Sequence, residues 1–194
     1  MVARHLVVAG NLLDSDDTAG ALRHARAAKA LAGRLGVVRE SAGVAAYRAG
    51  EYAEALADLR AARRLTGSPE ALPLIADCER GLGRPDRALA VVKDPAAARL
   101  PVAVRVELAI VASGARRDLG QGDAAVLALR GAELDADNVQ PWTVRLWYAY
   151  AEALLAAGRR QDAQDWFAAA ASVDEAEDTD AGARAAALDG RPTG

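Results

Sequence analysis

Apolar and small side chains recur along the chain with the spacing of one buried helix face. Two rows with this spacing are Ala55, Leu59, Ala62 and Ala163, Phe167, Ala170. Positions i, i+4 and i+7 lie on one side of an α-helix, whereas the alternation typical of a strand is hard to find. About a quarter of the chain is alanine, the strongest helix former. The pattern predicts an all-α protein.

A glycine stands five residues before an alanine in four copies. These pairs are Gly50 and Ala55, Gly83 and Ala88, Gly120 and Ala125, and Gly158 and Ala163. In an earlier copy, Asp16 replaces the glycine before Ala21. The five alanines, called the key alanines below, are 34, 33, 37 and 38 residues apart, and a period near 34 indicates a helix–turn–helix repeat. The alternative is an alanine-rich helical bundle without repeats.

The repeat places a first and a second helix in each of five pairs. First helices are predicted over 3–13, 37–49, 69–81, 102–118 and 141–157, and second helices over 18–33, 52–65, 85–93, 122–131 and 160–173. Pro69, Pro101 and Pro141 can each open a first helix, and Pro95 should stop a second helix near Lys93.

The chain is predicted to divide into a repeat domain, residues 1–175, and a C-terminal segment, residues 176–194. Within that segment we expect a capping helix over 181–188 that covers the last repeat. A disordered tail is expected from Gly190 to Gly194.

These residues resemble the tetratricopeptide repeat family over roughly residues 3–175. The family has a small residue twelve positions before the key alanine, and all five copies here have one. Those residues are Ala9, Gly43, Ala76, Ser113 and Ala151. The family's proline between repeats is displaced to Pro69 and absent at that position elsewhere. The resemblance implies a right-handed αα-solenoid of about five helix pairs, and the chain as a whole also resembles small tetratricopeptide-repeat proteins of actinobacteria.

Composition excludes several classes of protein. The net charge is −3, with acids and bases interspersed, so that the basic face of a nucleic-acid-binding protein is missing. Cys78 is the single cysteine, which rules out an intrachain disulfide. No apolar stretch approaches the roughly 18 residues that span a bilayer. We expect a cytoplasmic protein that binds neither nucleic acid nor membrane.

Groups able to carry out catalysis are scarce. His5 and His24 are the only histidines, and with no third ligand evident we interpret them as surface or interface residues. Cys78 lies between Asp77 and Glu79, which would raise the pKa of its thiol, so we interpret it as a buried small apolar residue. No phosphate-binding loop or hydrolase motif is present. The sequence predicts no enzyme, no cofactor and no metal site.

First helices line the groove of such a solenoid, and the resemblance implies that a partner protein or peptide binds there. Candidate groove residues are Glu40, Val44, Tyr47, Arg48, Asp77, Arg80, Arg117, Arg145, Tyr148 and Glu152. Arg48, Arg80 and Arg117 fall at nearly equivalent places, and guanidinium groups suit carboxylates, so an acidic peptide is the ligand hypothesis. The alternative is that these arginines pair with acids inside the groove, namely Glu40, Asp77, Glu79, Glu107 or Asp118.

Most of the aromatic residues lie in the last pair. They are Trp142, Trp147, Tyr148, Tyr150, Trp166 and Phe167. They either fill the core there or form a surface for a partner or a second copy. The leading hypothesis for function is a non-catalytic protein–protein interaction adaptor, and the alternative is a self-associating structural module that forms homo-oligomers.

Overall fold

The computed structural model describes residues 1–131, 134 and 139–189. Every regular element among them is a helix. They fall into two compact units, Met1–Arg99 and Leu100–Gly194. Both units belong mainly to the predicted repeat domain, whose boundary at residue 175 stays a prediction. The predicted tail from Gly190 to Gly194 lies outside the described residues.

Unit 1 contains three helix pairs. They are α1 (Val2–Asp14) with α2 (Thr18–Ala32), α3 (Gly36–Arg48) with α4 (Tyr52–Thr66), and α5 (Leu72–Gly81) with α6 (Pro85–Val92). A 3₁₀ helix, Pro95–Arg99, follows α6. The predicted stop of that second helix is confirmed, since Lys93 is its C-cap.

Unit 2 contains two helix pairs and one further helix. They are α7 (Val102–Asp118) with α8 (Gly122–Leu129), α9 (Thr143–Ala156) with α10 (Arg160–Ser172), and α11 (Ala181–Leu188). Helix α11 occupies the eight residues of the predicted capping helix and packs against α10; its role as a cap stays a prediction.

Two of the three predicted proline starts are wrong. Helix α5 begins at Leu72, three residues after Pro69, because a turn in which the Leu72 N–H donates to the Pro69 carbonyl precedes it. Helix α9 begins at Thr143, since Gln140 and Thr143 form a similar turn around Pro141. Pro101 is the N-cap of α7, directly before its first residue.

The turn inside each pair has the same hydrogen-bonded geometry in all five copies. At Gly50, φ is +76°, the Gly50 N–H donates to the Tyr47 carbonyl, and the Glu51 N–H donates to the Ala46 carbonyl. These two bonds define a Schellman motif. Gly83, Gly120 and Gly158 repeat it, and Asp16 repeats it at φ +60°. Each first helix therefore ends in a left-handed residue, including the copy that lacks glycine.

Close packing inside each pair explains the small residues. All five key alanines are fully buried. Gly43 faces Leu59, and a Cβ at Gly43 would lie 2.6 Å from the Leu59 Cγ, closer than carbon atoms can approach without movement. The small residue twelve positions before the key alanine therefore lets the two helix backbones approach.

The late aromatic residues fill or border the core of unit 2. Phe167, Trp147 and Tyr150 are buried. Trp166 packs edge-on against both Trp147 and Tyr150, with ring centroids 5.7 and 5.0 Å apart. Trp142 is half-buried against the same core. Of the two interpretations of this cluster, core filling is the one that the structure favours.

Candidate functional site

The ten candidate groove residues lie on first helices, as predicted, and each unit is considered by itself. Unit 1 holds them on α3 and α5, and unit 2 on α7 and α9. On α3 and α5 they are Glu40, Val44, Tyr47, Arg48, Asp77 and Arg80. On α7 and α9 they are Arg117, Arg145, Tyr148 and Glu152. Within each unit, consecutive first helices contact one another directly.

Asp77 joins α3 to α5 in unit 1. Its Oδ2 accepts a hydrogen bond from the Tyr47 hydroxyl at 2.6 Å, and its Oδ1 accepts one from Arg80 Nη1 at 2.7 Å. Burial, together with the carboxylate of Asp77, raises the pKa of Tyr47 above its usual value, so this hydroxyl stays protonated and a donor. Tyr47, Asp77 and Arg80 therefore form a fixed hydrogen-bonded group.

Among the candidate groove residues on α3, the charged side chains of Arg48 and Glu40 are exposed and only weakly held by other residues. Arg48 Nη2 lies 3.6 Å from Asp16 Oδ1, and the side chains are 49% and 88% exposed. Exposed ion pairs of this kind contribute about 0–1 kcal/mol. Glu40 is exposed and has no ion pair within the described residues. Val44 is half-buried against the core of unit 1. This surface presents both charges to solvent beside an apolar side chain.

Unit 2 has a tighter arrangement around Glu152. Arg117 on α7 donates to one oxygen of Glu152, and Arg184 on α11 forms an ion pair with the other. Arg145 Nη2 lies 2.5 Å from Oε1 of Glu107, which joins α9 to α7. Arg117 and Arg145 thus hold first helices together.

Tyr148 also contacts the capping helix segment. Its hydroxyl donates to Asp180 Oδ1 at 2.7 Å. Burial and this carboxylate raise the pKa of Tyr148 to about 12. The Arg184 guanidinium also lies 4.9 Å from the centroid of the Phe167 ring. Two of the four unit 2 candidates, Tyr148 and Glu152, are therefore engaged by the segment that ends the described chain.

A donor on one first helix meets a carboxylate on the next in both units. Tyr47 and Arg117 each lie eight residues before a key alanine, and Asp77 and Glu152 each lie eleven before the following one. Arg80 shares the position of Tyr47 and Arg117, whereas Arg48 lies one residue later. Arg48, Arg80 and Arg117, called the arginine row below, are therefore out of register by one residue at Arg48.

Each arginine of the row has a carboxylate in its own unit, although two of the partners differ from those considered from the sequence. Arg80 pairs with Asp77, as the internal-pairing alternative supposed, but Arg48 faces Asp16 and Arg117 faces Glu152. The pairs of Arg80 and Arg117 are shorter and less exposed than that of Arg48. Arg48 is therefore the arginine of the row best able to meet an external anion.

Sequence reasoning missed two buried carboxylates in unit 1. Asp58 on α4 is 2% exposed, and its oxygens accept from Lys29 Nζ and Arg39 Nη1, each at 2.6 Å. Glu79 on α5 is 0% exposed and accepts from Arg60 Nη2 at 2.6 Å. The signal available in the sequence was an acid directly beside Leu59 and another directly beside Cys78, within otherwise apolar helix faces.

The residues considered for metal or redox chemistry occupy ordinary packing positions. His5 and His24 join α1 to α2, with their Nδ1 atoms 3.1 Å apart. Cys78 is fully buried in the core of unit 1, and burial, then the neighbouring carboxylates, raises the pKa of its thiol to about 12. The described residues contain no group of three or more histidine, cysteine or acidic side chains placed to hold a metal ion.

None of the helices described is both long enough and apolar enough to pass through a membrane. The helix pairs, their period and their turns define the fold as that of tetratricopeptide repeat proteins. Comparison with protein-family models gives no match, and comparison with curated proteins also gives none.

Solved structures share this fold over nearly the whole chain. A thermophilic TPR protein of Thermus thermophilus is 20% identical with a TM-score of 0.75, covering 97% of this chain and 98% of its own. A kinesin light chain of Podospora anserina with TPR-like repeats is 15% identical with a TM-score of 0.67, covering 92% and 97%. The MamA protein is 16% identical with a TM-score of 0.62, covering 87% and 89%. The all-α solenoid predicted from the sequence is confirmed.

Proposed function

We propose that the chain is a protein–protein interaction adaptor without catalytic activity of its own, and that it binds its partner through the first-helix surface of unit 1. The observation that carries the proposal is the arrangement of the polar side chains on α3 and α5. The side chains of Tyr47, Asp77 and Arg80 are partly exposed there and are already fixed by hydrogen bonds. A rigid polar surface loses little side-chain entropy on binding, which favours affinity.

An acidic peptide segment, or a C-terminal carboxylate, is the ligand chemistry that this surface fits best. Arg48 is half-exposed and has only a distant, solvent-exposed acid, Asp16, to displace. A partner's carboxylate would have to compete with Asp77 for Arg80 and with Glu152 for Arg117. Arg48 is therefore the residue on which the proposal depends most.

The test is affinity capture from the native host followed by titration calorimetry with the purified partner. We expect Arg48→Glu to weaken that binding about tenfold or more, because it replaces a charge-assisted contact by repulsion between like charges. Arg64→Glu is the matched control, since Arg64 is exposed on α4 and makes no ion pair in the described structure. Equal binding by the two variants would contradict the assignment to this surface.

Self-association is the second candidate, and one feature of unit 1 favours it. Leu35 and Val37 are more than half exposed on either side of Gly36. A Cβ at Gly36 would lie 3.7 Å from the Cβ of Leu65, which is also more than half exposed. These three exposed apolar side chains around Gly36, called the Gly36 edge below, are ones that a second copy could cover.

The cytoplasmic location and the resemblance to actinobacterial proteins stay predictions. They would fit an adaptor that meets its partner inside a bacterial cell. Neither carries weight in the choice between the two candidate functions.

A further inference from the structure

Unit 1 has a cavity of about 370 Å³ between α4, α5 and α6, away from the candidate groove residues. Three guanidinium groups and two carboxylates line it. They are Arg60 and Arg63 from α4, Arg87 from α6, Glu79 from α5, and Asp94, which follows α6. Ile75 and Val91 are among its apolar walls. A concave site with apolar walls and a few convergent polar or charged groups is the usual form of a ligand-binding pocket.

Two of the arginines are held in place by acids. Arg60 Nη2 lies 2.6 Å from Glu79 Oε1, and Arg63 Nη2 lies 2.7 Å from Asp94 Oδ2. Asp94 is fixed in turn by the Ala96 N–H, and this bond, with Arg63, holds the pKa of its carboxyl below the usual value. A guanidinium has five N–H donors, so both arginines keep donors for a further acceptor.

The third arginine has no acid. Arg87 is exposed and lines the cavity, and its side chain forms no ion pair or hydrogen bond within the part of the chain that the structure describes. Arg84 Nη1 stands 3.6 Å from Glu79 Oε2, so that four guanidinium groups surround two carboxylates. The excess of positive charge is local, since the chain as a whole carries −3.

One buried acceptor in the cavity lacks a hydrogen bond. Glu79 is 0% exposed, and its Oε2 forms an ion pair with Arg84 Nη1 at 3.6 Å but accepts no hydrogen bond within the described structure. A buried acceptor without a hydrogen bond is destabilising. Two groups in the cavity therefore lack a hydrogen-bond partner among the described residues. Arg87 has no anion, and Glu79 Oε2 has no N–H or O–H hydrogen-bond donor. A free anion satisfies only Arg87, whereas an acidic residue of a polypeptide supplies a carboxylate and backbone N–H groups together.

We propose that the cavity between α4, α5 and α6 anchors an aspartate or glutamate side chain of a partner polypeptide. Its carboxylate binds Arg87 and the remaining donors of Arg60 and Arg63, while a backbone N–H of the same segment donates to Glu79 Oε2. The proposal rests on the proposed function, protein binding, but places an acid-binding position on a second surface of unit 1.

The test uses the full chain and a fluorescein-labelled, amidated hexaglutamate peptide, followed by fluorescence anisotropy. We expect saturable binding. Arg87→Glu should weaken this binding about tenfold or more, because a charge-assisted hydrogen bond is lost. Arg23→Glu and Arg64→Glu change the net charge equally at exposed sites without described ion pairs, and should bind within about twofold of the wild type. Unlabelled hexaglutamine should not compete.

Three results would overturn the proposal: no binding by the wild type, equal loss in Arg87→Glu and the two controls, or displacement of the peptide by glutarate or inorganic phosphate as effectively as by unlabelled hexaglutamate. The last would show a general anion site with no use for a peptide N–H. If Arg48→Glu abolishes binding of the purified natural partner while Arg87→Glu changes neither that binding nor hexaglutamate binding, the cavity proposal fails and the adaptor function stands.

Discussion

Asp16 adopts the left-handed backbone conformation that glycine adopts in the four corresponding turns. Its φ is +60°, whereas φ at Gly50, Gly83, Gly120 and Gly158 lies between +69° and +77°. A left-handed residue with a Cβ is strained, and aspartate tolerates this conformation better than most residues. The Schellman hydrogen bonds of this turn are nevertheless complete. The geometry of the turn therefore depends on the repeat and not on glycine itself.

We predict that Asp16→Gly stabilises the protein by roughly 0.5 kcal/mol, because relief of strain slightly exceeds the greater chain entropy of glycine in the unfolded state.

Asp17→Ala, one residue later, should destabilise the protein by about 1 kcal/mol, since the Asp17 carboxylate caps α2 by accepting a hydrogen bond from the Gly20 N–H at 2.8 Å. Urea unfolding measures both free energies. A destabilising Asp16→Gly would show that the side chain does more than occupy the turn.

At the scale of the helices, ion pairs join second helices in a way that the sequence pattern did not reveal. On α4, Glu54 accepts from Arg26 and from Lys29, both on α2. Lys29 also reaches Asp58, which Arg39 on α3 contacts from the other side. Three helices are thus joined through two carboxylates. Such pairs link residues 19 to 29 positions apart, so helix periodicity alone cannot identify them.

These links predict a dependence of stability on pH. The hydrogen bond from Arg26, followed by that from Lys29, lowers the pKa of Glu54 to about 2, below the value near 4.3 of an unfolded glutamate. The folded state therefore binds this proton less tightly, and the stability that Glu54 contributes is present above about pH 4.3 and lost as pH falls toward 2.

Glu54→Gln should accordingly flatten the decline of unfolding free energy between about pH 4.5 and 2.5. Urea titrations at a series of pH values provide the measurement. Glu70→Gln is the control, because Glu70 is exposed and makes no ion pair within the described residues. An unchanged slope in Glu54→Gln would mean that its carboxylate is not held by Arg26 in solution.

The helices themselves were predictable because their signals are local. The ends set by Gly50, Gly83, Gly120 and Gly158 agree with the structure to within a residue or two. The starts of α5 and α9 were missed because Pro69 and Pro141 belong to the turns that precede them. The candidate site was predictable only as far as which helix carries each residue. The carboxylate that each arginine meets depends on side-chain reach between helices, as Arg117 with Glu152 shows.

At the scale of the whole molecule, the apolar Gly36 edge raises the question of oligomeric state. Leu35, Val37 and Leu65 are three side chains, whereas stable interfaces bury roughly 1,200–2,000 Å². We therefore expect a monomer at micromolar concentration, checked by sedimentation equilibrium over a concentration series. A mass that rises with concentration in the wild type but not in Val37→Lys would instead favour the self-associating module.

The positions of Cys78 and the tryptophans have a practical consequence. Cys78 is the only thiol, and it is buried in unit 1, whereas Trp142, Trp147 and Trp166 all lie in unit 2. A buried thiol reacts with a labelling reagent only when its surroundings open. The rate of thiol labelling under native conditions therefore reports local opening of unit 1, while tryptophan emission reports unit 2. The natural chain thus contains a separate spectroscopic or chemical probe for each unit, and no residue needs to be introduced.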